Sequence, residues 1–320
     1  MRMKIDRGKF LKRTLWTLLV LFAAANGAAF MHAYKFTNFS ESEKPRTKNP
    51  EELSTGAKIK AAFLGVSNPR PQNDTFPARP YETVTLQSNK RIECWRINAD
   101  SAKGTVILFH GYAACKSMML DKAEEFLALG YNAFLVDFMG CGGSEGNQTT
   151  IGWFEAEQVK TCFEHVRAQG EKNIFLFGTS LGAAAVLKAI RDHDLAPAGI
   201  IIECPFGSMY QTTCARFESM GIPEFPMAAL LVFWGGVQNG FWAFSHCPED
   251  YAAAVKCPAL LLYGEKDARV SRAEIDTIYA RLGGKKTLRT YPEAGHENYL
   301  IRCREAWCGD VRSFLEQNGI

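Results

Sequence analysis

The pentapeptide Gly178-Thr179-Ser180-Leu181-Gly182 separates two stretches of opposite character. Before it, residues 173–177 form a short apolar run; after it, residues 181–191 are rich in Ala and Leu, with no Pro and no Gly beyond Gly182. This pattern predicts a strand, a sharp turn and a helix. A serine at the tip of such a turn has its Oγ lifted out of the sheet, and the two glycines tolerate the crowded backbone. Ser180 is therefore a candidate nucleophile, although the same spacing also occurs in ordinary glycine-rich turns.

A hydroxyl is a poor nucleophile at neutral pH, so Ser180 would need a histidine base and an acid that orients the histidine. His296 is one of six histidines and lies in a turn between a strand-like run, residues 287–291, and a predicted helix. Asp267 follows another apolar run, residues 260–263. These positions make His296 the candidate base and Asp267 the candidate acid.

Two further motifs precede the serine, Phe109-His110-Gly111-Tyr112 and the segment from Asp137 to Ser144 that reads D-F-M-G-C-G-G-S. With the turn at Ser180 and the Asp267/His296 pair, they give the chain order Ser, Asp, His, which differs from the orders in chymotrypsin and subtilisin. From about Tyr81 to the C-terminus, the chain resembles the α/β-hydrolases, in particular the serine esterase, lipase and acyl-peptidase-like members.

The resemblance implies a role for each motif. It places the acid at Asp267, with Glu203 in reserve and a helix-capping role for Asp267 as the alternative. It also implies that the backbone N–H groups of Leu181 and Tyr112 form the oxyanion hole, that Asp137 shapes its loop, and that no metal or organic cofactor is needed. His110 is expected to support its loop rather than to act as a base.

Composition sets broad limits on function. The chain has 320 residues, 47% hydrophobic and 22% charged residues and a formal charge of +3, values that are ordinary for a globular protein. This charge is too small to indicate nucleic-acid binding, because six of the basic residues precede Thr14. A small-molecule or acyl substrate is the expected partner.

Residues 1–34 predict a membrane-directed segment. The six basic residues are followed by a charge-free stretch of 21 residues from Thr14 to Tyr34. Such a stretch just reaches the length of a spanning helix, with the basic end cytoplasmic and the rest of the chain on the other side. The small residues at 23–25 and 27–29 also suit signal-peptidase cleavage, which would make the protein secreted or periplasmic. Anchor, cleaved signal and an amphipathic helix of a cytosolic protein all remain open at this point.

Residues 35–80 contain six prolines and predict a linker that leads into a hydrolase domain at 81–320. Eight strand-like runs follow, and the later ones alternate with helical patterns, which predicts a mainly parallel eight-stranded sheet with helices on both faces. The expected strands are 83–87, 92–97, 105–109, 132–138, 174–177, 199–202, 259–263 and 287–291.

More than fifty residues separate the sixth and seventh predicted strands, where one helix would need far fewer. We expect residues 206–250 to form an apolar cap over the site, with Phe233 and Trp234 on the wall of an acyl pocket. The alternative is that these aromatic residues pack on the sheet. The chain has ten cysteines, and in an exported protein Cys214 and Cys247 would be the first pair to test for a disulfide.

Together these features predict an exported or membrane-anchored serine hydrolase that cleaves a carboxylic ester, or a thioester or amide, through an acyl-enzyme. Two alternatives stand beside it. One is a peptidase, because the resemblance extends to peptidase-like members. The other is a catalytically silent hydrolase fold that serves as a membrane-tethered binding module.

Overall fold

The computed structural model describes residues 7–41, 45–47 and 53–319, and in these ranges the eight predicted strands form a single sheet. The strands are β1 (Tyr81–Gln87), β2 (Arg91–Ile97), β3 (Thr105–Phe109), β4 (Asn132–Val136), β5 (Ile174–Thr179), β6 (Gly199–Glu203), β7 (Ala259–Gly264) and β8 (Lys286–Tyr291). Their order is β1-β2-β4-β3-β5-β6-β7-β8. The pairs β1/β2 and β2/β4 are antiparallel, and all other pairs are parallel. The predicted fold class is confirmed.

Helices cover both faces of the sheet, as buried parallel strands require. One face packs against α3 (Leu120–Ala128) and α11 (Arg304–Asn318). The other packs against α4 (Glu155–Ala168), α5 (Leu181–His193) and α9 (Arg272–Arg281). Every residue of β3, β4 and β6 is buried, which explains why these strands are continuous apolar runs rather than alternating ones.

The helix predicted to follow the His296 turn is not continuous in the structure. It is divided at Cys303 into the short α10 (Tyr299–Arg302) and α11. Asn298 caps the first piece, because its side chain accepts a hydrogen bond from Leu300 N.

The segment from Asp137 to Ser144 is a loop organised around one buried carboxylate. Asp137 is fully buried and accepts hydrogen bonds from the backbone N–H groups of Lys116 (2.7 Å) and Gly143 (2.9 Å). Its Oδ2 also pairs with the buried Lys116 ammonium at 2.5 Å. A buried charge needs such partners, so Asp137 holds this loop against the 116–119 turn, in agreement with the structural role expected for it.

The N-terminal region contains more helix than the predicted anchor and linker would have. The helix α1 (Arg7–Thr37) runs without a break through the expected boundary at residue 34; Arg2 and Lys4 lie outside the described residues. The helix α2 (Thr55–Leu64) lies inside the predicted linker, which is a correction. The interval between Pro50 and Pro69 contains no proline, and Ser54 caps α2 by accepting from Ala57 N.

The interval between β6 and β7 forms the expected cap. It contains α6 (Met209–Met220), α7 (Met227–Asn239) and α8 (Pro248–Tyr251). Helix α6 packs against α7, and α7 also packs along α1. All ten cysteines are free, so the expected pair Cys214 and Cys247 is not bonded.

Candidate active site

The turn between β5 and α5 holds Ser180 in a strained conformation. Its backbone has φ 52° and ψ −108°, a region that costs a non-glycine residue about 1–3 kcal/mol. The positions on either side of Thr179-Ser180-Leu181 must be glycine, because a side chain would clash with the backbone there. A Cβ on Gly182 would lie 2.3 Å from Phe109 O, and one on Gly178 would lie 2.6 Å from the Gly182 carbonyl carbon. The turn therefore has the geometry of a nucleophile elbow.

Ser180, His296 and Asp267 form one chain of hydrogen bonds. His296 Nε2 lies 3.1 Å from Ser180 Oγ, and His296 Nδ1 lies 2.7 Å from Asp267 Oδ2. The Asp267 side chain is fully buried, and its Oδ1 accepts from the backbone N–H groups of Arg269 and Val270 at 2.8 and 3.0 Å. The acid is thus fixed by its own loop. The three residues lie as a catalytic triad would, and their catalytic roles stay predictions.

Glu203, the reserve acid, has other partners. One carboxylate oxygen accepts from Trp307 Nε1 at 2.7 Å and the other from Thr179 Oγ1 at 3.0 Å. Lys122 Nζ lies 3.5 Å from the second oxygen. The backbone oxygen of Glu203 accepts from Ser180 N at 2.8 Å. Glu203 therefore supports the elbow instead of orienting His296.

The two expected oxyanion donors flank Ser180. Leu181 is the first residue of α5, so its N–H has no acceptor within the helix. Tyr112 follows Gly111, at which a Cβ would lie 3.8 Å from Ser180 Cβ. Tyr112, Leu181 and Ser180 line the same cavity. The loop thus brings the Tyr112 backbone close to the serine, and its use as an oxyanion donor stays a prediction.

The side chain of Tyr112 is held by α1. Its hydroxyl donates to Phe36 O at 2.7 Å and accepts from Asn68 Nδ2 at 2.8 Å. Its ring stacks on Phe36 with a centroid distance of 4.6 Å and an interplanar angle of 9°. The Arg216 guanidinium of α6 lies beside this stacked pair, 4.5 Å from the Phe36 centroid and 5.8 Å from the Tyr112 centroid. The N-terminal helix therefore positions the loop that carries a candidate oxyanion donor.

Ser180 opens into a cavity of about 320 Å³, within the size range of small-molecule sites. Most of its wall is apolar and comes from three elements. The residues involved are His32, Ala33, Phe36 and Thr37 of α1, Met209, Arg216, Phe217 and Met220 of α6, and Met227, Leu231, Val232 and Gly235 of α7.

The prediction that two aromatic residues of α7 form the wall of the acyl pocket is wrong. Phe233 and Trp234 are not among the residues that line the cavity. Met227, Leu231 and Gly235 recur every four residues and face it, which turns Trp234 toward α1, where its Nε1 donates to Asn26 Oδ1 at 3.1 Å. Phe233 is 37% exposed. The alternative, packing on the sheet, is also wrong, because these aromatic residues meet α1 or solvent.

Cys204 is a site residue that the sequence analysis missed. It follows β6 and is buried beside the triad, so that its Sγ and donor atoms of Asp267 and His296 lie within 4.8 Å of one another. The signal was present in the chain, since the carboxyl ends of neighbouring parallel strands meet at one edge of a sheet. His110, by contrast, is buried and accepts from Phe138 N at 3.1 Å, which agrees with its expected supporting role.

The surroundings of His296 shift its proton affinity in opposite directions. Burial lowers the pKa of the imidazole, whereas Cys204 and the hydrogen-bonded Asp267 carboxylate raise it. The raising effects are larger, so the pKa of His296 lies above its ordinary value. An imidazolium stabilised in this way suits a base that must accept a proton from Ser180 during the reaction.

Known proteins resemble this chain in sequence. A family model described as serine aminopeptidase, S33 matches residues 100–231. "Uncharacterized protein YqkD" of Bacillus subtilis is 21% identical over 70% of this chain and 75% of its own length. Protein bem46 of Schizosaccharomyces pombe is 24% identical over 76% of each chain. The caffeoylshikimate esterase of Arabidopsis thaliana is 36% identical over 91 residues, 27% of each chain.

Solved structures share the fold. The Pyrococcus furiosus esterase Pf2001 superimposes with a TM-score of 0.68 and 22% identity, over 79% of this chain and 97% of its own. Est1E of Butyrivibrio proteoclasticus, solved with ferulic acid bound, gives a TM-score of 0.58 and 14% identity, over 73% and 98%. With the sheet order and the elbow, these similarities show that the chain has the α/β-hydrolase fold.

The raised pKa of His296 predicts the pH dependence of activity. A general base works only when it is neutral, so kcat/KM should rise with pH through a midpoint above about 6.5, the ordinary histidine value. Asp267→Asn removes a carboxylate that raises this pKa. The midpoint should therefore move down, and the plateau rate should fall by about 10⁴-fold. Both are read from pH–rate profiles with a soluble ester. An unchanged midpoint in Asp267→Asn would contradict the assigned pair, and Asp276→Asn, on the exposed surface of α9, is the control.

The contact between α1 and Tyr112 predicts a remote effect on catalysis. Phe36→Ala removes the ring on which Tyr112 stacks, so the loop with the candidate oxyanion donor should lose its position. We expect kcat to fall by roughly tenfold, since small displacements of aligned groups are costly. Phe30→Ala is the matched control, because Phe30 packs edge-on against Trp234 outside the cavity. Equal kcat values for the two variants on a soluble acetate ester would show that α1 does not position the loop.

Proposed function

We propose that this protein is a membrane-anchored serine hydrolase that cleaves carboxylic esters through an acyl-enzyme. One observation carries the proposal: the hydrogen-bonded chain Ser180, His296, Asp267 opens into an apolar cavity. A nucleophile, a base and an orienting acid in this order are the parts that acyl transfer needs.

The geometry supports the following sequence of steps. Ser180 Oγ attacks the ester carbonyl while its proton passes to His296 Nε2, which lies 3.1 Å away. The N–H groups of Leu181 and Tyr112 stabilise the oxyanion, and Asp267 stabilises the imidazolium through Nδ1. His296 then returns the proton to the leaving alcohol. Water, activated by the same imidazole, cleaves the acyl-enzyme and restores Ser180.

The cavity favours an ester of an apolar acid over a peptide. Among the described residues that line it, none carries a carboxylate that could hold a free α-amino group. The similarity to an Arabidopsis esterase over 91 residues and the fold shared with the Pyrococcus esterase also support esterase chemistry. The serine aminopeptidase description of the matching model keeps a peptidase as the second candidate.

The contacts of α1 favour a retained anchor over a cleaved signal. The small residues at 23–25 and 27–29 lie inside a continuous helix, and Ala29 is fully buried. Asn26 is bonded to Trp234, and the next turns line the cavity. Within the part of the chain that the structure describes, one helix, Gly8–Thr37, is long and apolar enough to cross a membrane. With the basic end in the cytoplasm, the hydrolase domain would lie on the other side.

A fluorophosphonate probe tests the nucleophile. We expect the full-length protein to be labelled at Ser180, and Ser180→Ala to lose the label and at least about 10⁴-fold of its ester turnover. Ser313→Ala, which alters an exposed serine of α11, should label as the wild type does. Labelling of correctly folded Ser180→Ala would refute the assignment. A wild-type protein that takes no label would instead support a catalytically silent binding module.

A further inference from the structure

We propose that the substrate is the acyl ester of a membrane lipid and that it reaches Ser180 from the bilayer, across the surface formed by α1 and α7. This inference rests on the proposed function. It adds the source of the substrate and assigns a second role to α1, which would be both the membrane anchor and a wall of the active site.

The length of α1 fixes its depth in a membrane. Its charge-free stretch from Thr14 to Tyr34 has 21 residues, and a helix needs about 20 to cross the hydrocarbon core. Lys9, Lys12 and Arg13 mark one end of this stretch and Lys35 marks the other. Because nearly all 21 residues are needed to cross the hydrocarbon core, the last turns of this stretch must also lie within the membrane.

Those last turns are packed against α7. Asn26 Oδ1 accepts from Trp234 Nε1, the Phe30 ring meets the Trp234 ring edge-on at 5.3 Å, and Phe30 O accepts from Gln238 Nε2 at 2.8 Å. Ala29 is completely buried there. Because this part of α1 belongs in the membrane, α7 is carried to the membrane surface with it.

The composition of α7 and its flanks suits this position. Residues 225–248 contain no Asp, Glu, Lys or Arg. Three large apolar side chains of this segment are more than half exposed, namely Phe225 (75%), Val237 (52%) and Trp242 (59%). Exposed apolar surface of this extent marks an interaction site, and tryptophan is enriched where protein meets the headgroup region. Its continuity with the exposed face of α1 points to a bilayer as the partner.

The same two helices separate this surface from Ser180. Ala33 and Phe36 of α1, with Leu231 and Gly235 of α7, line the cavity on its inner side. A lipid chain that leaves the bilayer between or beside these helices would pass from one apolar environment to another and would not cross water. A soluble polar ester gains nothing from this arrangement.

The test compares two substrates on the full-length protein in phosphatidylcholine vesicles. One is 4-methylumbelliferyl oleate dissolved in the bilayer, and the other is water-soluble p-nitrophenyl acetate. Val237→Glu places a charge on the exposed face of α7 outside the cavity. Ile301→Glu is the matched control, because Ile301 is 76% exposed and belongs to α10.

Val237→Glu should lower oleate turnover by roughly tenfold, because a charged side chain resists the membrane, and should leave acetate turnover within about twofold of wild type. Ile301→Glu should leave both rates unchanged, and Val237→Leu should behave as wild type. Normal oleate turnover by Val237→Glu, with acetate turnover intact, would overturn bilayer access while leaving the esterase proposal in place. A wild type that hydrolyses neither ester would overturn both.

Discussion

The strained backbone of Ser180 is the constraint from which the site is built. Its positive φ and the tight approach of Gly182 to the Phe109 carbonyl force the chain to leave β5 and enter α5 within one residue. That turn lifts Oγ above the sheet and leaves the first N–H of α5 beside it. The cost of about 1–3 kcal/mol is offset by hydrogen bonds from Ser180 N to Glu203 O and from Ala184 N to Ser180 O.

The N-terminal helix α1 is part of the site, because it contacts the Tyr112 loop and lines the cavity. If the N-terminal segment were a cleaved signal peptide, the pocket would be expected to form without it. Here Phe36 supports the Tyr112 loop, and Ala33 and Thr37 form part of the cavity wall. Loss of the segment would therefore remove part of the cavity wall as well as the proposed membrane anchor. This coupling supports the proposal that the segment is a retained anchor and not a cleaved signal.

Local patterns predicted most of the fold. The eight strands are short apolar runs bounded by polar residues, and their alternation with helices is sufficient to indicate a parallel sheet. Ser180, Asp267 and His296 could be found because each follows a strand at the same edge of that sheet. Phe233 and Trp234 were misplaced because the face that α7 turns to the cavity depends on α1, where Asn26, 208 residues before Trp234 in the chain, accepts the Trp234 hydrogen bond. Cys204 follows β6 at the same edge of the sheet, but no motif marks it as the triad residues are marked.

A covalent mimic of the acyl-enzyme gives the most direct test of an acyl chain that extends from Ser180 between α1 and α7. A long-chain alkyl fluorophosphonate with a photoactivatable diazirine at its chain end would react with the full-length protein in vesicles, and cross-linked peptides would be mapped by mass spectrometry. We expect phosphonylation of Ser180 and cross-links within residues 32–37 or 227–235. Phosphonylation at another residue, or cross-links confined to the 113–117 and 139–147 loops, would contradict this position of the acyl chain.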